Sequence, residues 1–251
     1  MTGAYTIPYI GGTAVTYLSL PEVTKTFQQI IDKIRKFDAS SLAPKGSSPS
    51  VGRGLKKQSE ILLQDMTSKD LTVQETAFGG GQTVPLAFVK PLSRGSITIS
   101  STDPAAAPVI DHQTFSHPID IAVAVASFKK NREFFNAPAI KGELGAVEAN
   151  PGVTVTSDDA IEKSIRGQAV GTWAHPVGSL PMMKEEYGGI VDPRLFVYNV
   201  KNLRVIDASI MPMIPATHTS WPVYAIAEKV GPSPTVFLYH FCSPSFSIIR
   251  S

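Results

Sequence analysis

His175 and His218 are the side chains of this 251-residue chain best suited to moving a proton. Each lies in a short segment restrained by proline, Ala174-His175-Pro176-Val177-Gly178 and Ala216-Thr217-His218-Thr219-Ser220-Trp221-Pro222. Imidazole is largely a free base at neutral pH and can take a proton from a hydroxyl. Taken singly, each histidine has a simpler and commoner reading. His175 suits a turn in which hydrogen bonds satisfy its ring. His218 suits an ordinary helix start: Thr219 or Ser220 caps a helix whose first turn holds Pro222, which leaves amide N–H groups and the positive dipole end beside it. Gly189-Ile190-Val191-Asp192 and the run Asn202–Ser209 separate the two histidines, so folding must bring them together if they are to act as an acid/base pair.

Other chemistry-bearing residues are weaker candidates. Asp111-His112 and His117-Pro118-Ile119-Asp120 contain metal-ligand types, but their spacing matches no defined site, so no metal is predicted. Gly79-Gly80-Gly81 and Gly52-Arg53-Gly54 lack the spacing and the Lys-Ser/Thr pair of a phosphate loop. No Gly-x-Ser-x-Gly elbow occurs, which argues against a serine hydrolase. A G-x-G-x-x-G dinucleotide fingerprint is also missing from these residues.

The elements that must position the histidines are legible from periodicity. Val23, Phe27, Ile30, Ile31 and Ile34 fall on one face of a predicted helix over 22–37, with Pro21 suited to its first turn. Residues 40–54, rich in Ser, Pro and Gly, predict an exposed flexible loop, and 55–66 a short helix. Leu86–Val89 reads as a buried strand, Pro91–Gly95 as a turn and Ser96–Ser100 as an alternating strand; Asp103-Pro104 makes another turn. A helix is predicted over 118–135 with Pro118 in its first turn. Another starts near Thr156 or Ser157, where Asp158 and Asp159 complement its dipole, and a last one begins around Pro222.

Composition sets outer bounds. Apolar residues at 43% and charged residues at 18% are those of a chain with a packed core. The net charge of +2, with no basic run beyond a pair, excludes a nucleic-acid groove. No apolar run approaches the roughly 18–20 residues of a membrane span, so no membrane partner is expected. One cysteine, Cys242, no Asn-x-Ser/Thr acceptor and no signal-like start point to a cytoplasmic location.

Three segments carry a family resemblance. They are Pro91–Pro104 with Pro108–Asp111; His175-Pro176-Val177-Gly178-Ser179 with Gly189–Pro193; and Asn202–Pro212 continuing through His218–Lys229. In this order over 85–229 the chain resembles the glucose–methanol–choline (GMC) oxidoreductases, flavin enzymes that include glucose oxidase, choline dehydrogenase and aryl-alcohol oxidase. The resemblance implies an α+β fold: a substrate-binding domain with an antiparallel sheet near 84–100, covered by helices near 22–37 and 118–135, plus the C-terminal segment of the FAD domain.

The resemblance also implies a division into 1–84 (middle region), 85–170 (substrate domain), 171–229 (catalytic histidines and flavin contacts) and a divergent tail, 230–251. It makes His175 the base that takes the proton of a primary or secondary alcohol while hydride passes to FAD, and His218 the partner that hydrogen-bonds the substrate oxygen. Asp207 and Ala208 would lie by the ribityl–pyrophosphate region of FAD, and Thr219, Pro222 and Val223 would flank its ring. The family's Rossmann-like nucleotide-binding unit has no counterpart here, so FAD binding is expected to need a separate nucleotide-binding half. Without that half, part of the apolar surface of Val205, Ile206, Ile210, Val223 and Ile226 is expected to be exposed or badly covered, which favours self-association. A secondary-metabolite pathway fits the resemblance. A flavin-independent cyclase or isomerase using the same histidine pair, and an inactive remnant, are the alternatives.

Overall fold

The computed structural model of the protein describes residues 4–6, 14–78, 84–143, 145–230 and 248–250. In chain order the strands are β1 (Ala4–Thr6), β2 (Ala14–Ser19), β3 (Thr72–Phe78), β4 (Leu86–Phe88), β5 (Ser96–Thr98), β6 (Val109–Asp111), β7 (Val147–Asn150), β8 (Leu203–Val205) and β9 (Ile248–Arg250). The helices are α1 (Leu20–Val23), α2 (Phe27–Ile34), α3 (Pro49–Asp65), α4 (Pro118–Phe135), α5 (Asp158–Gln168) and α6 (Ser220–Val230). The architecture is α+β with antiparallel strand pairing. Two compact units interleave along the chain: residues 1–37, 60–93 and 114–171 form one, and residues 38–59, 94–113 and 172–251 form the other. The triplet Gly79–Gly81, Cys242 and most of the 230–251 tail lie outside the described residues.

The first unit is built on α4. Its sequence is mostly apolar over 119–128, and Ile119, Ile121, Val123, Ala124, Val125, Phe128 and Phe135 are buried. Ile121, Ala124, Val125 and Phe128 form one core with Ile161 and Ile165 of α5, which places α5's apolar face inward. Facing the sheet β2-β3-β4, α4 instead uses a polar pin. Asn131 accepts from Gln74 Nε2 at 2.7 Å and from Thr76 Oγ1 at 3.2 Å, all three residues being buried. Such a pin favours one register of helix on sheet, because sliding would strand buried polar groups. A bidentate pair from Arg132 to Glu148, at 2.8 and 2.6 Å, ties β7 to the same helix.

His117 and Asp120, considered above as ligand types, have structural work at the start of α4. The His117 ring is buried, accepts the Ile119 N–H through Nδ1 at 3.2 Å and packs edge-on to Phe37. The Asp120 carboxylate accepts the amides of Leu92 and Ser93 at 2.9 and 2.7 Å.

Three predicted elements differ in the structure. The single helix expected over 22–37 is broken into α1 and α2. Thr24 is extended (φ −150°, ψ 142°), and its hydroxyl accepts the Thr26 N–H at 3.2 Å, a local bond that competes with the helical one. The sheet expected over 84–100 is also divided: β4 pairs with β3, whereas β5 pairs with β6 in the second unit. Pro91 has no amide and Asp120 takes those of Leu92 and Ser93, so the residues between β4 and β5 cannot close a hairpin ladder. Ile97 and Ile99 are 41% and 88% exposed, so β5 has no buried apolar face despite its alternating sequence.

The third difference concerns 40–54, which is not a free loop. Ala39–Leu42 forms a 3-10 turn capped by Asp38, and α3 already begins at Pro49. Gly52 and Gly54, which look like loop glycines, both lie within this helix, and at Gly54 neighbouring backbone comes close. A Cβ on Gly54 would stand 2.1 Å from the Tyr187 carbonyl oxygen. Gly54→Ala is therefore expected to lower stability by about 1–3 kcal/mol. Gly142→Ala, where a Cβ meets nothing within 4 Å, serves as the control. Urea denaturation of the two variants checks this, and equal midpoints would remove the close approach as the reason for Gly54.

Candidate active site

The segment holding His175 is an irregular loop whose shape comes from short local bonds. The His175 amide donates to Thr172 Oγ1 at 3.2 Å. Ala174 adopts φ +59°, a left-handed conformation that turns the chain so that the Trp173 carbonyl meets His175 Nδ1. Gly178, at φ +82°, lets the backbone pass the Met211 carbonyl, which a Cβ would approach to 3.0 Å. Beyond it, the Leu180 amide donates to the Ser209 carbonyl at 3.0 Å and the Met182 amide to that of Ile210 at 2.8 Å. The loop of the first histidine is thereby joined to the chain that leads to the second.

Gly188-Gly189 reverses the chain. A Cβ on Gly189 would lie 1.8 Å from the Met183 carbonyl oxygen, so the tight return needs glycine there. Asp192 then organises the next turn, accepting the amides of Arg194 at 2.8 Å and Phe196 at 3.0 Å. Leu195, Asn199 and Asn202 take positive φ in the bends that bring the chain into β8. Asp207 caps a 3-10 turn over Ala208–Ile210, accepting the Ser209 amide at 2.8 Å and the Ser209 hydroxyl. Its carboxylate thus sets the turn from which the last segment departs.

Thr219 is buried, and its carbonyl accepts the Val223 amide at 3.1 Å, which makes it the N-cap position of α6. The helix starts two residues before the predicted Pro222, which falls in its first turn. Ile226 and Ala227 pack onto a core of Val191, Leu195, Val205, Ile206 and Ile210. This corrects the expectation of exposed apolar surface: Val205, Ile206 and Ile210 are buried, and Val223 and Ile226 are half-buried. The Gly189–Val197 turns fold back over β8 and supply the missing cover. Exposure falls instead on Trp221 (77%) and Tyr224 (69%) of α6.

The two histidines meet. Their ring centroids are 5.1 Å apart with planes at 69°, His175 being half-buried and His218 exposed. Pro222 and Val223 follow in the first turn of α6, while Asp207 and Ala208 belong to the preceding turn. Sequence reasoning did not pick out Thr172, Trp173 and Ala174, which shape the His175 loop. Only the hydroxyl three residues before the histidine hints at them, since a left-handed alanine leaves no mark in a sequence. Among the described residues no group of three or more His, Cys, Asp or Glu side chains could hold a metal ion, and no helix is long and apolar enough to cross a membrane.

The Asp192 carboxyl is held below the usual carboxylate range. Partial burial opposes this shift, and the amides of Phe196 and Arg194 together with the Arg194 guanidinium outweigh it. A depressed carboxyl contributes stability that is present above its ordinary titration range and is lost as pH falls through the lowered value. Asp192→Asn is expected to cost about 1–3 kcal/mol at neutral pH, with the deficit shrinking in strong acid. Denaturation at both pH values tests this, and a deficit of the same size in acid would refute the charge-based account.

The family model for the C-terminal domain of GMC oxidoreductases matches residues 91–227. Dehydrogenase xptC of Emericella nidulans is 34% identical over 217 residues, covering 86% of this chain and 35% of that protein. Among solved structures, an FAD-dependent oxidoreductase from Chaetomium thermophilum superposes with TM-score 0.82 at 36% identity, over 86% of this chain and 37% of that one. A fungal aryl-alcohol oxidase gives TM-score 0.78 at 29% identity with the same coverage, 86% and 37%. The chain thus spans about a third of the length of the relatives it matches.

Proposed function

The chain belongs to the GMC oxidoreductase family, and on that premise we propose that it carries the substrate-handling half of an FAD-dependent alcohol oxidoreductase, with His175 and His218 as its proton-handling pair. The observation that carries this reading is the contact of the two rings at 5.1 Å, although 42 residues separate them in sequence. One oxygen atom can then meet both imidazoles. His175 takes the hydroxyl proton of a primary or secondary alcohol, and His218 hydrogen-bonds the same oxygen and steadies its developing negative charge.

Bound FAD would supply the acceptor for the hydride that leaves the alcohol carbon. The residues here fit the ring end of such a group. As first-turn residues of α6, Ser220 and Trp221 have amides with no acceptor inside the helix, and that helix end favours negative charge beside it. Thr219, Pro222 and Val223 would hold the ring, and Asp207 and Ala208 would lie along the ribityl–pyrophosphate portion, where Asp207 already fixes the turn through Ser209. For the pyrophosphate the sequence has no G-x-G-x-x-G unit. A nucleotide-binding half must accompany the chain for FAD to be held. The aryl-alcohol oxidase among the similar structures supports alcohols as the substrate class.

The test supplies FAD and a panel of primary and secondary alcohols to the chain alone, and to the chain joined to the N-terminal half of a relative. Oxidation is expected only for the joined protein, and His175→Ala is expected to lower its kcat by about 10²–10⁴-fold. An unchanged rate in that variant removes His175 as the base. Alcohol-derived products formed by the isolated chain without FAD would favour a cyclase or isomerase instead.

A further inference from the structure

We propose that Thr172 and Ala174 are positioning residues that hold His175 in its Nδ1–H tautomer, so that Nε2 is the atom free to take a proton. This rests on the reading of His175 as a base and adds which nitrogen acts and what selects it. His175 Nδ1 contacts the Trp173 carbonyl oxygen, an atom that can only accept. The hydrogen of that contact must therefore sit on Nδ1, and in the neutral ring the remaining lone pair belongs to Nε2.

A carbonyl two residues upstream does not face a side chain by default. Here three restraints bring it round. Ala174 at φ +59° folds the chain back in a conformation that L-residues other than glycine seldom adopt. Thr172 Oγ1 accepts the His175 amide at 3.2 Å and so closes the fold. Pro176 confines His175 itself to extended backbone. The ring is thereby oriented from its own loop by a backbone carbonyl, one of the groups that commonly fix an imidazole tautomer. An unrestrained imidazole would populate both tautomers and present either nitrogen.

The clamp can be read without cofactor or substrate. Long-range ¹H–¹⁵N correlation spectra of the chain, labelled at its five histidines, report the tautomer of each ring at a pH where the rings are neutral. The His175 signals are identified by their loss in His175→Gln. The wild type is expected to show the Nδ1–H pattern for His175, with widely separated Nδ1 and Nε2 resonances. In Thr172→Val, which keeps the shape and loses the acceptor, the two resonances should move toward each other, and Thr172→Ser should restore the separation. Ala174→Val, β-branched and ill suited to positive φ, should act like Thr172→Val. A wild-type spectrum dominated by the Nε2–H pattern overturns the proposal, as does an unchanged pattern in both Thr172→Val and Ala174→Val. Either result leaves the role of His175 as a base to be decided by the kinetics of His175→Ala, so the two failures are distinguishable.

Discussion

The site depends on the short backbone ladder between Leu180–Met182 and Ser209–Ile210. Two amide-to-carbonyl bonds, with the close pass of Gly178 by Met211, join a loop containing one histidine to the strand and turn that lead to the other. Individually such bonds contribute about 0.5–1.5 kcal/mol. Their importance is geometric, because they convert a long separation along the chain into ring contact. Gly178 is required at that point for both its positive φ and the narrow space.

Beneath this ladder, Val191, Leu195, Val205, Ile206 and Ile210 make a small core to which α6 adds Ile226 and Ala227. The helix is thus anchored by its inner face while its amino end stays beside His218. Burial on one side and exposure of Trp221 and Tyr224 on the other follow from the same helical spacing. The segment is thus packed underneath and open above. The first unit differs: α4 is buried along most of its first half and uses the Gln74–Thr76–Asn131 pin toward the sheet.

Much of the secondary structure was legible. The limits of α4 and the starts of α5, near Ser157, and of α6, near Pro222, follow from proline placement, capping residues and helical periodicity, all of which are local. The pattern misled where a local alternative or a distant neighbour intervened. Thr24 and Thr26 interrupted an otherwise good helix, and Gly52 and Gly54 signalled a loop although both lie within α3, where Gly54 allows a close approach to Tyr187. The alternating strand read over 96–100 is shorter in the structure, and Ile97 and Ile99 stay exposed.

The order of residues already marks which side chains could do the chemistry, since the two histidine segments carry neighbouring prolines and family-like motifs. It also determined most of the helix ends, because caps act within a few residues. Only the tertiary structure decided that the imidazoles touch, that Val205, Ile206 and Ile210 are covered from within the chain, and that the Trp173 carbonyl faces His175. Each of these depends on backbone turns at positive φ or on contacts between residues far apart in the chain. Such features cost or gain free energy only once the distant segments have met, so no local pattern announces them.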